Sequence, residues 1–227
     1  MIKENFDFFF FRSLQNTNDK IKKIDNSQKS ISNLALYCEK QLEGRGRKGR
    51  IWLSNKGDLT CSFLLKKRIK VSEVGKINLF VVSELIEVFK KIGINQVKFK
   101  WPNDIYVDNK KIAGVLIETN VEKNTINRFI VGIGINVKNK FSEKNFISTS
   151  LNDLKKAVKP LRLFFMISKY LIFFVQEKSQ INFNFHSKNL SNLFFSKDSV
   201  LKVNCGNKLV EGKFKEINSF GHLVLTN

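Results

Sequence analysis

Histidine, proline and tryptophan occur only twice each in this 227-residue chain, and cysteine three times. Each scarcity closes off a kind of chemistry. Cys38, Cys61 and Cys205 are far apart, odd in number and form no CxxC pair. That argues against a disulfide framework or a zinc site and points to a reducing cytosol. His186 and His222 both lie toward the C-terminus, away from the motifs described below. Nucleophilic Ser-His or Cys-His catalysis and His-rich metal sites therefore have little support. Acidic side chains number 20 against 40 basic ones, a formal charge of +20. No segment has five or more basic residues in a row, so the excess reads first as solvated lysine and only second as a nucleic-acid footprint. Long apolar runs are missing too. Phe8 to Phe11 is too short for a signal core and is interrupted by Asp7. Leu161 to Val175 is short for a membrane span and carries Arg162 and Lys169, which predicts a buried helix.

What remains is an ordinary globular composition, 42% hydrophobic and 12% aromatic. The length suits one domain with a small second one. Arginine is the next clue. Only seven are present, and three fall in Gly44-Arg45-Gly46-Arg47-Lys48-Gly49-Arg50-Ile51-Trp52. Arg grips carboxylate or phosphate with a planar two-pronged fork, which Lys cannot do. Gly lets the backbone turn tightly around a ligand. The stretch reads as a loop that closes over an anion. It also spells GxGxxG, but the intervening residues are cationic and the chain beyond looks extended, so a dinucleotide fold is rejected.

The organisation around that loop is mixed. Phe6 to Phe11 predicts a strand, and Asn16-Thr17-Asn18-Asp19 caps a short helix reaching Lys23. Leu34 to Cys38 is a strand, and Trp52 to Leu65 reads as extended. Lys76 to Ile92 is the clearest helix, ended by Lys90, Lys91 and Gly93. Strands at 97–101, 105–107, 112–118 and 128–137, joined by short polar turns, predict a largely antiparallel sheet. Pro160 opens the long apolar helix. Residues 179–198 read as a linker. From 199 onward, Val200, Val203, Leu209, Phe214, Ile217, Leu223 and Leu225 would fill a small β-barrel-like module.

Three further clusters gather scarce residue types. Lys100-Trp101-Pro102-Asn103-Asp104 puts a carboxylate and an amide on a rigid turn, where they could hold a nucleotide, a metal ion or an amine. Lys110-Lys111-Ile112-Ala113-Gly114 and Gly132-Ile133-Gly134-Ile135-Asn136-Val137 place glycines inside apolar strands. Gly weakens a strand unless something must approach closely. Together with the Gly-Arg loop, these clusters hold six of the chain's twelve glycines.

Taken in order, Gln41 with the Gly-Arg loop, then Lys100 to Tyr106, Lys110 to Glu118 and Gly132 to Val137 resemble the biotin protein ligases over residues 5–178. The resemblance implies an α+β fold of the class II synthetase type, with a catalytic domain over 1–178 and an SH3-like β domain over 199–227. It implies a cytosolic enzyme that uses ATP and Mg²⁺ to activate biotin as an acyl-adenylate. The acceptor would be a lysine of a biotin carboxyl carrier protein, for example that of acetyl-CoA carboxylase. It also implies site residues. Arg47, Lys111 and Asp104 would be catalytic, and Asp104 would also be the candidate Mg²⁺ ligand. Asn16, Thr17, Asn18, Gln41, Gly44, Arg45, Gly46, Arg47, Lys111 and Gly114 would surround biotin. Trp52, Lys100, Asn103, Asp104, Gly132, Gly134 and Asn136 would surround the nucleotide.

The chain departs from the family pattern at Asn16, where Ser is usual, at Glu43, where a small residue is usual, and in ending a strand or two early. No DNA-binding helix-turn-helix is expected before the first strand, hence no repressor role. A monomer or homodimer with no nucleic-acid or membrane partner is expected. The alternatives are a lipoate or octanoate ligase of the same fold and a basic nucleic-acid-binding module.

Overall fold

The structure is a computed structural model that describes residues 6–28, 32–143, 146–176, 181–197, 199–206 and 208–226. The elements run β1 (Phe6–Phe11), α1 (Thr17–Gln28), β2 (Asn33–Cys38), β3 (Gly44–Arg45), β4 (Ile51–Trp52), β5 (Leu59–Leu65), β6 (Ile69–Lys70) and α2 (Val74–Lys91). They continue with β7 (Val97–Lys100), β8 (Asp104–Val107), β9 (Lys110–Glu122), β10 (Thr125–Ile135), β11 (Ser142–Glu143) and β12 (Phe146–Ile147). The last are α3 (Pro160–Gln176), α4 (Phe183–Asn192), β13 (Val200–Cys205), β14 (Lys208–Ile217) and β15 (Leu223–Thr226).

The fold is α+β. One eight-stranded sheet runs β1-β2-β5-β10-β9-β8-β7, with β6 paired to β10 off that path. Only β1–β2 is parallel; the hairpins that short turns allow make the rest antiparallel. Two of those turns need left-handed backbone, and polar residues supply it at Asp108 and Asn109 and at Lys123 and Asn124.

Both faces of the sheet centre are covered. All seven residues of β5 are buried. On one side α1 packs Ile21 and Ile24 against Leu34, Leu36, Leu64 and Ile130. On the other, α2 and α3 carry the main core, including Phe80, Phe89, Phe164 and Phe174. Burial of ten residues around α2 and the positive φ of Gly93 explain why that helix forms and stops where it does.

Two expectations are corrected. The first helix does not stop near Lys23 but runs to Gln28, because Ile24 is buried and Asp25 pairs with Lys66 and Arg128. The segment 179–198, expected as a linker, contains α4. Asn182 caps it by accepting the Phe185 N–H at 3.0 Å, and His186 and Leu190 bury against the core beside α2. Residues beyond it extend the sheet, as Phe99 N–H donates to Leu193 O and Phe195 N–H to Phe99 O. The expected small C-terminal β domain is present as the three-stranded sheet β13-β14-β15, with Val200 and Leu209 exposed. It docks on the rest of the fold. Ile217 is buried in the main core, Leu201 and Leu223 pack on it, and Phe214 stacks on Phe194 with centroids 3.8 Å apart.

Candidate active site

The first turn of α1, the loop after β2, the ends of β7–β10 and the face of β13 enclose a cleft of about 1090 Å³. Every expected site residue lines it except Gly44, which is buried behind the loop opposite Trp52. Glu43 does not line it. Its backbone is engaged: the Glu43 carbonyl accepts from Asn16 Nδ2, and its N–H donates to Gln15 O.

One end of the cleft is buried and polar. Asn16 Oδ1 accepts the N–H groups of Asn18 and Asp19 at 2.9 and 3.2 Å, capping α1. Asn in the usual Ser position therefore still serves as a cap. Thr17 donates through both N–H and Oγ1–H to Gln41 Oε1, at 2.8 and 2.9 Å. With its proton committed, the Thr17 hydroxyl offers lone pairs, and Gln41 Nε2 offers donors. The room for Gln41 comes from Gly44, where a Cβ would lie 2.7 Å from Nε2. Acceptor and donor side by side suit a ligand that carries both N–H and C=O.

The floor is Trp52 lying on bare backbone. A Cβ on Gly134 would sit 2.5 Å from the indole Nε1 and nearer still to two ring carbons. A Cβ on Gly114 would meet the same ring at 3.1 Å. Lys111 Nζ stands over the indole, 5.1 Å from the ring centroid. Asn103 and Asn136 are partly spent on structure. Asn103 Nδ2 donates to Val115 O at 2.6 Å, while Asn136 Nδ2 bridges Lys111 O and Thr149 O.

The charged part of the lining is almost all cationic. Arg45, Arg47, Lys48, Arg50, Lys100, Lys111 and Lys202 face a single carboxylate, Asp104. Asp104 Oδ1 is buried and lies 2.8 Å from Lys111 Nζ as an ion pair, without a hydrogen bond of good geometry. Arg45 is held bidentate by Asp19, at 2.9 and 2.6 Å, which raises its pKa further. Arg47 is exposed and has no ion pair among the described residues. Burial, with the Asp104 charge second, pushes Tyr106 up to about 12, so its hydroxyl stays protonated beside the cleft. Burial also pushes the Cys61 thiol up, which rules it out as a nucleophile.

Among the described residues no three His, Cys, Asp or Glu side chains come together to hold a metal. Asp104, the candidate Mg²⁺ ligand, is already ion-paired with Lys111. No described helix is long and apolar enough to cross a membrane.

Asp19, Ser62 and Glu118 went unseen in the sequence. Asp19 lies in the first turn of α1, three residues past the cap, a weak signal. Ser62 and Glu118 reach Asn18 only through sheet register, 44 and 100 residues away.

The sequence pattern of the Biotin/lipoate A/B protein ligase family matches residues 10–136. The chain belongs to that family. Among its relatives, the bifunctional ligase/repressor BirA of Salmonella typhimurium is 29% identical over 200 residues, covering 84% of this chain and 61% of that protein. Biotin–protein ligase 2 of Arabidopsis thaliana is 37% identical over 127 residues, covering 53% of this chain and 36% of that protein. The chain spans 38% to 61% of the length of four BirA proteins it matches. A biotin protein ligase from Aquifex aeolicus, solved with biotin and ATP, superposes with a TM-score of 0.75 at 26% identity. That match covers 96% of this chain and 91% of the other, so this family member keeps the ligase architecture almost throughout.

Proposed function

We propose that this chain is an ATP-dependent biotin–protein ligase that forms biotinyl-5′-AMP and passes the acyl group to a lysine of a biotin carboxyl carrier domain. One observation carries the reading: a buried acceptor–donor end and a seven-cation wall share one cleft. The first suits a cyclic urea, and the second suits a carboxylate and a triphosphate. Biotin–protein ligase 2 of Arabidopsis thaliana and the Aquifex aeolicus biotin protein ligase solved with biotin and ATP support it.

The chemistry follows from charge. A carboxylate oxygen of biotin attacks the α-phosphorus of ATP. The bond from that phosphorus to the α–β bridging oxygen breaks, and pyrophosphate leaves. Two anions must meet, so fixed cations have to offset both their repulsion and the charge that develops. Lys111 and Arg47 would do this at the reacting oxygens. Arg45 would contribute only by exchanging Asp19 for the ligand. Trp52 on its glycine floor would lie against the nucleotide. In the second step a neutral lysine amine attacks the acyl carbonyl, AMP departs, and the new amide loses a proton. Asp104, the cleft's one carboxylate, would orient that amine and take the proton. The enzyme would work in the cytosol, on the carrier domain of a carboxylase, as a monomer or homodimer.

The test is ATP–pyrophosphate exchange by the purified protein with biotin, with lipoate and with no acid. Exchange that requires biotin supports the reading. Exchange with lipoate alone moves the chain to the other branch of its family, and a folded protein inert with both acids refutes the ligase assignment.

A further inference from the structure

Glu118 has no role in the chemistry above, yet three groups converge on it, two of them from the cleft lining. Its Oε2 accepts from Asn18 Nδ2 at 3.1 Å and from Lys22 Nζ at 3.0 Å, while Oε1 lies 3.6 Å from Arg45. On the far side of Asn18, the fully buried Ser62 donates its hydroxyl to Oδ1 at 2.5 Å. Gly132 makes space for this arrangement, since a Cβ there would lie 2.6 Å from Asn18 Oδ1. Asn18 itself is 4% exposed and lines the cleft beside Thr17 and Gln41.

An Asn amide is nearly symmetric in shape but not in hydrogen bonding: one end only donates and the other only accepts. A carboxylate between two cations has lone pairs and nothing to donate. It therefore takes Nδ2, which turns Oδ1 toward Ser62 and obliges that hydroxyl to donate. Without such a partner either orientation would serve Ser62, because a hydroxyl can donate or accept.

We propose that Glu118 is a positioning residue that fixes, through Asn18, the donor–acceptor polarity of the pocket's buried end, with Ser62 as the second stop. The selection of a polar cyclic-urea head over an apolar ring follows from it, and that half rests on the biotin reading above. A pocket whose polar groups are held in one orientation discriminates by leaving them unpaired against the wrong ligand.

The experiment uses Glu118→Gln, Asn18→Ala and the double variant, with Ser62→Ala as an independent route to the same loss. Glutamine keeps the shape but can donate, so the orientation of Asn18 is released. Exchange of the Asn18 side-chain amide protons, read by ¹⁵N NMR without ligand, should be slow in the wild type and fast in both Glu118→Gln and Ser62→Ala. Biotin affinity by calorimetry should fall about tenfold in Glu118→Gln, the equivalent of one oriented hydrogen bond. The KM for ATP should stay unchanged, and the biotin effect should vanish when Asn18 is already Ala. A merely structural role would lower Tm and shift both substrates together. Unchanged Asn18 exchange in Glu118→Gln, or an equal loss of biotin affinity in the Asn18→Ala background, overturns the proposal. Wild-type protein that binds lipoate and not biotin overturns the ligase reading and the stated selectivity, while the exchange measurement decides the positioning of Asn18 by itself.

Discussion

Gly134→Ala is the sharpest perturbation the cleft floor offers. The added methyl would lie 2.5 Å from Trp52 Nε1, and ring carbons are nearer still. Unstrained contacts between such atoms need about 3.5–4.0 Å, so the indole must retreat by roughly 1 Å or more. Retreat is limited on one side by Gly114, whose Cβ position is 3.1 Å from the same ring, and by the Lys111 ammonium over its face. Overpacking of this kind costs about 1–3 kcal/mol. For a chain of this size, the middle of that range lowers Tm by about 4–8 °C. Because the ring is also the proposed nucleotide floor, the KM for ATP in pyrophosphate exchange should rise about tenfold, with a much smaller change for biotin. The cycle with Trp52→Ala isolates the cause. Once the indole is gone the methyl has nothing to strike, so Gly134→Ala should cost little stability in that background. An unchanged Tm in the single variant, or an equal loss with and without Trp52, refutes the reasoning.

Arg47→Lys should leave Tm within about 1 °C, since the side chain is exposed and unpaired among the described residues, yet cut exchange activity at least tenfold by removing a two-pronged grip. Asp58 is buried, and its Oδ1 accepts the N–H groups of Val137, Lys138 and Asn139, each at 3.0 Å. Asp58→Ala should therefore cost about 3 kcal/mol in urea unfolding, with the loop that follows Trp52 freed from the end of β10. Burial, with the Glu87 charge second, pushes Glu84 up to about 7 from 4.5, while Lys91 opposes. Between those values the folded chain keeps a proton that the unfolded chain has released, so this group's contribution to stability is lost as pH rises through that window. Glu84→Gln should flatten that decline when unfolding is compared at pH 5 and pH 7.5. Neighbouring His186, pushed down by burial, works in the opposite sense at acid pH, so the wild-type-minus-variant difference is the quantity to read.

The sequence by itself determined the elements whose causes are local. The strand at 6–11, the helix stopped by Gly93 and the hairpin turns all follow from periodicity, caps and turn residues close along the chain. It also marked the cleft. Scarce Arg between glycines, and glycines inside apolar strands, are visible without coordinates because they violate what a plain core strand prefers. The tertiary structure decided whatever depends on partners far apart. Residues 183–192 look aperiodic because α4 buries only a narrow face, and that face is legible only once α2 lies beneath it. Likewise only the tertiary structure shows that the C-terminal strands dock on the main core through Ile217, Phe214 and Leu223. In the same way no spacing rule joins Asn18 to Ser62 and Glu118. A strand fixes which face a side chain takes, but only the register of its neighbours fixes what it meets there.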